Sequence, residues 1–149
     1  MIDFDILIHM KKDPKQFDWN FVGLDFGNWE EELLWVLDLP TTKISISELG
    51  WHLDCPFWEH DNGERYTVTL RDVLEKEEGT IMEQESVRKA DTTYPIDIYF
   101  NKDKWLILDG LHRLVKLYEA GAEEVSVRIV PDDKLSSILS GEPIEMPSW

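Results

Sequence analysis

The clearest hydrophobic pattern lies in the C-terminal half of the chain. Residues 95–100 alternate as a strand, Asn101, Lys102 and Asp103 supply turn chemistry, and residues 104–108, Lys-Trp-Leu-Ile-Leu, read as a second strand. Two such runs joined by a short polar connection predict a β-hairpin. Asp109 and Gly110 end it. Leu114, Leu117 and Tyr118 then recur at helical spacing, which predicts a helix over 111–120 with Gly121 as its C′ glycine. Val125, Val127 and Ile129 alternate with Ser126 and Arg128, predicting a third strand over 124–130. A last helix is expected over about 132–139, and Trp149 reads as a loose tail.

The N-terminal half is less regular. Ile2, Phe4, Ile6 and Ile8 give a weak strand signal. Asn28, with Glu31 three places on, reads as a capping-box variant opening a helix that carries Leu33, Leu34, Val36 and Leu37 and stops at Pro40. Residues 43–49 alternate through Ile44 and Ile46 against Ser45 and Ser47, predicting another strand. Residues 50–58 are dense in aromatics, and Pro56 argues against regular structure there. Asp61, Asn62 and Gly63 mark a turn, and residues 65–69 a short strand. Thr69 with Asp72 caps a helix over 70–77, and a second follows over 81–90. The whole reads as one α+β domain over 1–149, a small mixed sheet or open barrel with surrounding helices. Residues 1–42 form an N-terminal extension to it.

Composition narrows the function classes. Fifteen basic side chains face 31 acidic ones, a formal charge of −16, and nowhere is there a basic block. Nucleic-acid binders contact phosphates through Lys and Arg clusters, so unaided nucleic-acid binding is not expected, nor binding to an anionic membrane. Hydrophobic residues at 42% and seven tryptophans exclude a disordered polyelectrolyte. Cys55 is the sole cysteine, which excludes an internal disulfide and a cysteine-based zinc site. The first five residues do not read as a signal peptide, and no apolar run approaches the roughly 20 residues of a membrane span. The expected compartment is the cytoplasm. Most of the acidity reads as solvated surface, with room for a basic protein partner.

One motif carries chemistry. Leu108-Asp-Gly-Leu-His-Arg113 spans a strand-to-helix junction. A helix N-terminus offers unpaired N–H groups to anions, and Gly110 permits close backbone approach. Arg113 offers a fork matching phosphate or carboxylate, and His112 handles protons near neutral pH. Asp109 suits Mg²⁺ or a hydroxyl proton. The same residues also read as ordinary structure: Asp109 as an N-cap, His112 as a partly buried histidine, Arg113 as a carboxylate's partner. Spacing alone does not separate the two.

The stretch from Tyr94 to Pro131 resembles the ParB/sulfiredoxin superfamily, whose hallmark is a strand, a Gly-X-His-Arg or Gly-Glu-Arg-Arg turn, a helix and a Val-rich strand. Here these are Ile107 to Leu114, Gly121, and Val125 to Val130; residues 44–54 resemble the superfamily's other box. The resemblance implies an open barrel-like α+β fold whose turn binds nucleotide phosphates. The Asp-Gly-X-His-Arg form is most similar to the free serine kinases. By that likeness Gly110, Leu111, His112 and Arg113 would cradle phosphate, Asp109 would sit near the metal or acceptor hydroxyl, and His52 and Asp54 would lie beside the site. Sulfiredoxins carry a Cys before the His-Arg pair, where this chain has Leu111, so their activity is not expected. Partition proteins add a helix-turn-helix domain and a dimerisation tail; with some eighteen residues after the last strand of an acidic chain, chromosome partition is not expected.

The expectation is therefore a nucleotide-binding enzyme, a Mg²⁺-dependent phosphotransferase or nucleotidase using ATP, ADP or CTP on a small hydroxylated acceptor. Asp109, His112 and Asp54 are its catalytic candidates and Asp109 its metal ligand; Gly110, Leu111, His112, Arg113 and His52 are its nucleotide contacts. The alternative is a non-catalytic acidic module that binds a basic protein. A nuclease is the weakest reading, for want of a carboxylate cluster with a lysine motif. Trp51, Phe57 and Trp58 read as packing rather than base stacking. His9 and His60 lack metal-like partners, and Arg88 and Asp91 read as a salt bridge.

Overall fold

The computed structural model describes residues 17–23 and 28–140. The hairpin forms where alternation places it. Strands β2 (Ile96–Asn101) and β3 (Lys104–Asp109) pair antiparallel around Lys102 and Asp103, whose φ angles are 51° and 62°. Two successive left-handed residues make a two-residue turn whose twist matches that of the strands. Strand β4 (Glu124–Ile129) lies parallel to β2, and β1 (Thr41–Ser45) lies antiparallel to β4. The result is an α+β fold around one open, mixed four-stranded sheet in the order β1-β4-β2-β3.

Alternation gives the sheet two apolar faces. Ile96, Ile98, Ile107, Val125 and Val127 enter one core with Leu49, Leu53, Leu70, Val73, Leu114 and Val115. Leu106, Leu108 and Val130 enter the other, with Val22, Leu34, Cys55 and Ile138. The first core is roofed by helices α2 (Leu70–Leu74), α3 (Ile81–Lys89) and α4 (Leu111–Glu119). The second is covered by α1 (Glu31–Trp35) and the segment after α5 (Asp132–Leu135).

The predicted caps of α2 and α4 are present. Thr69 and Asp72 exchange side-chain and backbone bonds at 3.0 and 2.9 Å, a complete capping box. Gly121, at φ +74°, and Ala122 close α4 onto the carbonyls of Tyr118 and Leu117, a Schellman ending. Both α2 and α5 are shorter than the spans expected.

Three expectations need correction. The strand over 43–49 begins at Thr41 and stops at Ser45, and a 3₁₀ helix runs on over Ile46–Asp54. Its buried positions are Ile46, Leu49, His52 and Leu53, and the threefold spacing of the first three suits a 3₁₀ turn rather than a strand. The helix after Asn28 is only α1, capped by Glu30 with no side-chain bond, because Trp29 bridges to Leu139 and the Asn28 carbonyl accepts from Ser140 N–H. Residues 65–69 supply one bridge, Trp58 to Val68, and no strand. The weak strand at 2–8 and the tail at Trp149 lie outside the described residues. Among the described residues, no helix is long and apolar enough to cross a membrane.

Candidate functional site

The hairpin delivers Asp109 to the end of β3, Gly110 turns the chain, and α4 starts at Leu111. Gly110 sits at φ +122°, and a Cβ there would meet the Ile96 side chain at 3.0 Å. The turn is therefore glycine for two reasons, backbone conformation and close packing on β2. No side chain caps α4. The start of the helix lines a cleft of about 500 Å³, whose lining includes Asp109, Gly110, Leu111 and His112. Trp29, Phe57, Trp58 and Tyr66 wall the cleft, and Glu31 also lines it. Among the described residues, no Lys or Arg does.

His112 is held on two sides. Its ring stacks on Trp58 at 4.4 Å with planes 9° apart, and Nε2 lies 2.7 Å from Glu83 Oε2 on α3. With the proton on Nε2, Glu83 accepts it and Nδ1 is left as a proton acceptor at a side chain 38% exposed. A carboxylate fixing one ring nitrogen while the other meets substrate is a common way to orient a catalytic imidazole.

Arg113 faces elsewhere. Its Nη2 donates to Asp109 Oδ2 at 2.8 Å and its Nη1 to the Pro95 carbonyl. Trp35 Nε1 donates to the same Asp109 oxygen at 2.8 Å. The guanidinium thus buckles β3, α4 and the segment before β2 together and does not line the cleft. Glu31 is held above the usual carboxylate range by burial, with the neighbouring Asp109 charge adding to the effect.

No family model, curated protein or solved structure matches this chain. The cleft's chemistry is therefore read from its own residues. Of the candidates named from sequence, Asp109, Gly110, Leu111 and His112 come together at the cleft. Arg113 stands behind it. His52 is fully buried, with Nδ1 2.8 Å from the Leu49 carbonyl and Nε2 accepting from Ile107 N–H at 3.0 Å. Burial pushes its pKa down to about 3, so it is a neutral core residue beneath the cleft wall and touches no ligand space. Asp54 pairs with Arg71 at 2.8 Å on the surface and does not line the cleft. The Cys55 thiol is buried, its pKa pushed up to about 12 by burial, which leaves no thiolate to react.

Among the described residues, no group of three or more His, Cys, Asp or Glu could hold a metal ion. Asp109 shares the cleft with the Glu31 carboxylate, but one Asp109 oxygen is already taken by Trp35 and Arg113, and the two carboxylates alone do not make a resident metal site.

Sequence reasoning missed Glu83, Glu31 and Trp35, which act on the motif from distant elements. It also missed a buried ion pair: Asp97 and Arg128 are register partners on β2 and β4, with Nε 2.6 Å from Oδ1. A charged residue inside each of two apolar strands was the available signal. Arg128 also donates to the Leu34 and Leu37 carbonyls, pinning the end of α1 to the sheet. Burial lifts the Asp97 carboxyl above its usual range, against the pull of Arg128.

Proposed function

We propose that the protein is a nucleotide-dependent phosphotransferase or nucleotidase, with the phosphates seated at the N-terminus of α4. One observation carries this reading: a nine-residue helix with no side-chain cap begins in the lining of an aromatic-walled cleft of about 500 Å³. That volume suits a small organic ligand, the amides and helix dipole suit phosphate oxygens, and the tryptophan faces suit a base. The resemblance of residues 107–114 to the ParB/sulfiredoxin superfamily supports it.

The electrostatics specify the form of the ligand. Glu31 and Asp109 line the cleft, and the whole chain carries −16. A bare triphosphate would be repelled, so the substrate is the Mg²⁺ salt of ATP, ADP or CTP, with the ion arriving on the nucleotide. His112 then accepts the proton of a hydroxylated acceptor through Nδ1, while Glu83 holds the ring. Asp109 and Arg113 keep the turn in shape. The cytoplasm, where such salts are abundant, is the working compartment.

Calorimetry with ATP, ADP, CTP and GTP, each with and without Mg²⁺, tests this. Micromolar binding that requires Mg²⁺ is expected, and His112→Ala, which removes the proton acceptor rather than a phosphate contact, is expected to leave that binding nearly unchanged while transfer to the acceptor is lost. No binding under either condition would overturn it and leave the acidic protein-binding module standing.

A further inference from the structure

A second cleft, of about 550 Å³, shares no lining residue with the first among the described residues. Trp35 and Tyr94 line it, both more than half exposed, with Pro95, Asp97 and Arg128. Two of these walls are anchored to the Asp109 turn. Trp35 Nε1 is tied to Asp109, and the Pro95 carbonyl is tied to Arg113.

Asp97 is the chemically informative residue. It is 3% exposed, and its Oδ1 accepts from Arg128. Its Oδ2 has no partner among the described residues, yet it is not a sealed buried atom, so it reaches the cleft. Arg128 spends three of its five N–H donors on Asp97, Leu37 and Leu34, and its charge is matched by Asp97. The Trp35 indole N–H is likewise spent. The cleft therefore presents a carboxylate oxygen that needs a donor, with two aromatic side chains in the same lining, in a strongly acidic protein.

We infer that this cleft is a binding site for a small organic cation, an ammonium or guanidinium group carried on an apolar or aromatic body. The cation donates to Asp97 Oδ2 and lies against the Trp35 and Tyr94 rings, whose negative faces attract it. An anion meets the Arg128 charge only where Asp97 already balances it.

Titration with phenethylammonium, followed through the Trp35 indole N–H resonance, tests the inference on the whole chain. A saturable shift is expected, with the His112 ring resonances unmoved. Tyr94→Ala keeps the fold, since that side chain is exposed, and is expected to weaken binding roughly tenfold, within the range of a partly desolvated cation–π contact. Asp97→Asn, checked for an unchanged amide spectrum, is expected to abolish it. The inference is overturned by 3-phenylpropionate binding as well as the amine, by an unaltered affinity in Tyr94→Ala, or by shifts confined to His112 and Trp58. None of these outcomes depends on nucleotide binding at α4.

Discussion

His52 shows how a single residue can look functional and be structural. Its two ring nitrogens satisfy the Leu49 carbonyl and the Ile107 amide inside the core, which fixes the neutral form. The folded pKa is about 3 against an ordinary 6.5, so unfolding takes up a proton between those values. The histidine's contribution is complete above pH 6.5 and is lost as pH falls towards 3, by up to about 1.4 kcal/mol per pH unit. Asp97 and Glu31, held above their usual values, act in the opposite sense. Urea denaturation from pH 4 to 8, wild type against His52→Phe, isolates the histidine. The variant is expected to be less stable by about 1–3 kcal/mol at pH 8, because two buried backbone groups lose their partner, and the gap is expected to narrow on acidification. A constant gap across that range would mean that His52 is not held neutral.

At the level of elements, Gly110 joins β3 to α4 under two constraints that a control can separate. Gly63 also has a left-handed φ, +97°, but a Cβ there would meet nothing within 4 Å. Gly63→Ala is expected to cost only backbone strain, on the order of 1 kcal/mol. Gly110→Ala adds a collision with Ile96 and is expected to lower the melting temperature clearly further. Equal losses would mean that Ile96 yields freely. The hairpin, α4 and β4 were legible in sequence because their signals are local: alternation, a two-residue turn, a terminal glycine. The 43–49 strand was misjudged because Ile44 and Ile46 fit a period of two, while Ile46, Leu49 and His52 continue a period of three. Asn28 was a decoy, since Trp29 is claimed by Leu139 from the far end of the chain. The motif at 109–113 was legible in the same local way. Glu83, Trp35 and the Asp97–Arg128 pair were not, because 31 acidic residues offered too many partners and only the fold selects among them.

For the whole molecule, the −16 charge sets a condition on stability. Self-repulsion of the acidic surface opposes the compact state, and salt screens it. The melting temperature is expected to rise by a few degrees between low salt and roughly 0.3 M NaCl, where the Debye length drops below that of physiological buffer. No rise would mean that the carboxylates are too dispersed to repel one another. The sheet order also dictates a sequence of events in time. Thr41 faces Arg128 and Ser45 faces Glu124, although β2, β3 and α4 all lie between them in the chain. As the polypeptide leaves a ribosome, β1 emerges first of the four strands and waits, with no neighbour to hydrogen-bond, until β4 has been made. The local hairpin and α4 are free to form meanwhile, since contacts close in sequence form fastest. The strand synthesised first is thus the last to be secured, and a nascent chain stalled before residue 124 would leave its edge open to the wrong partner.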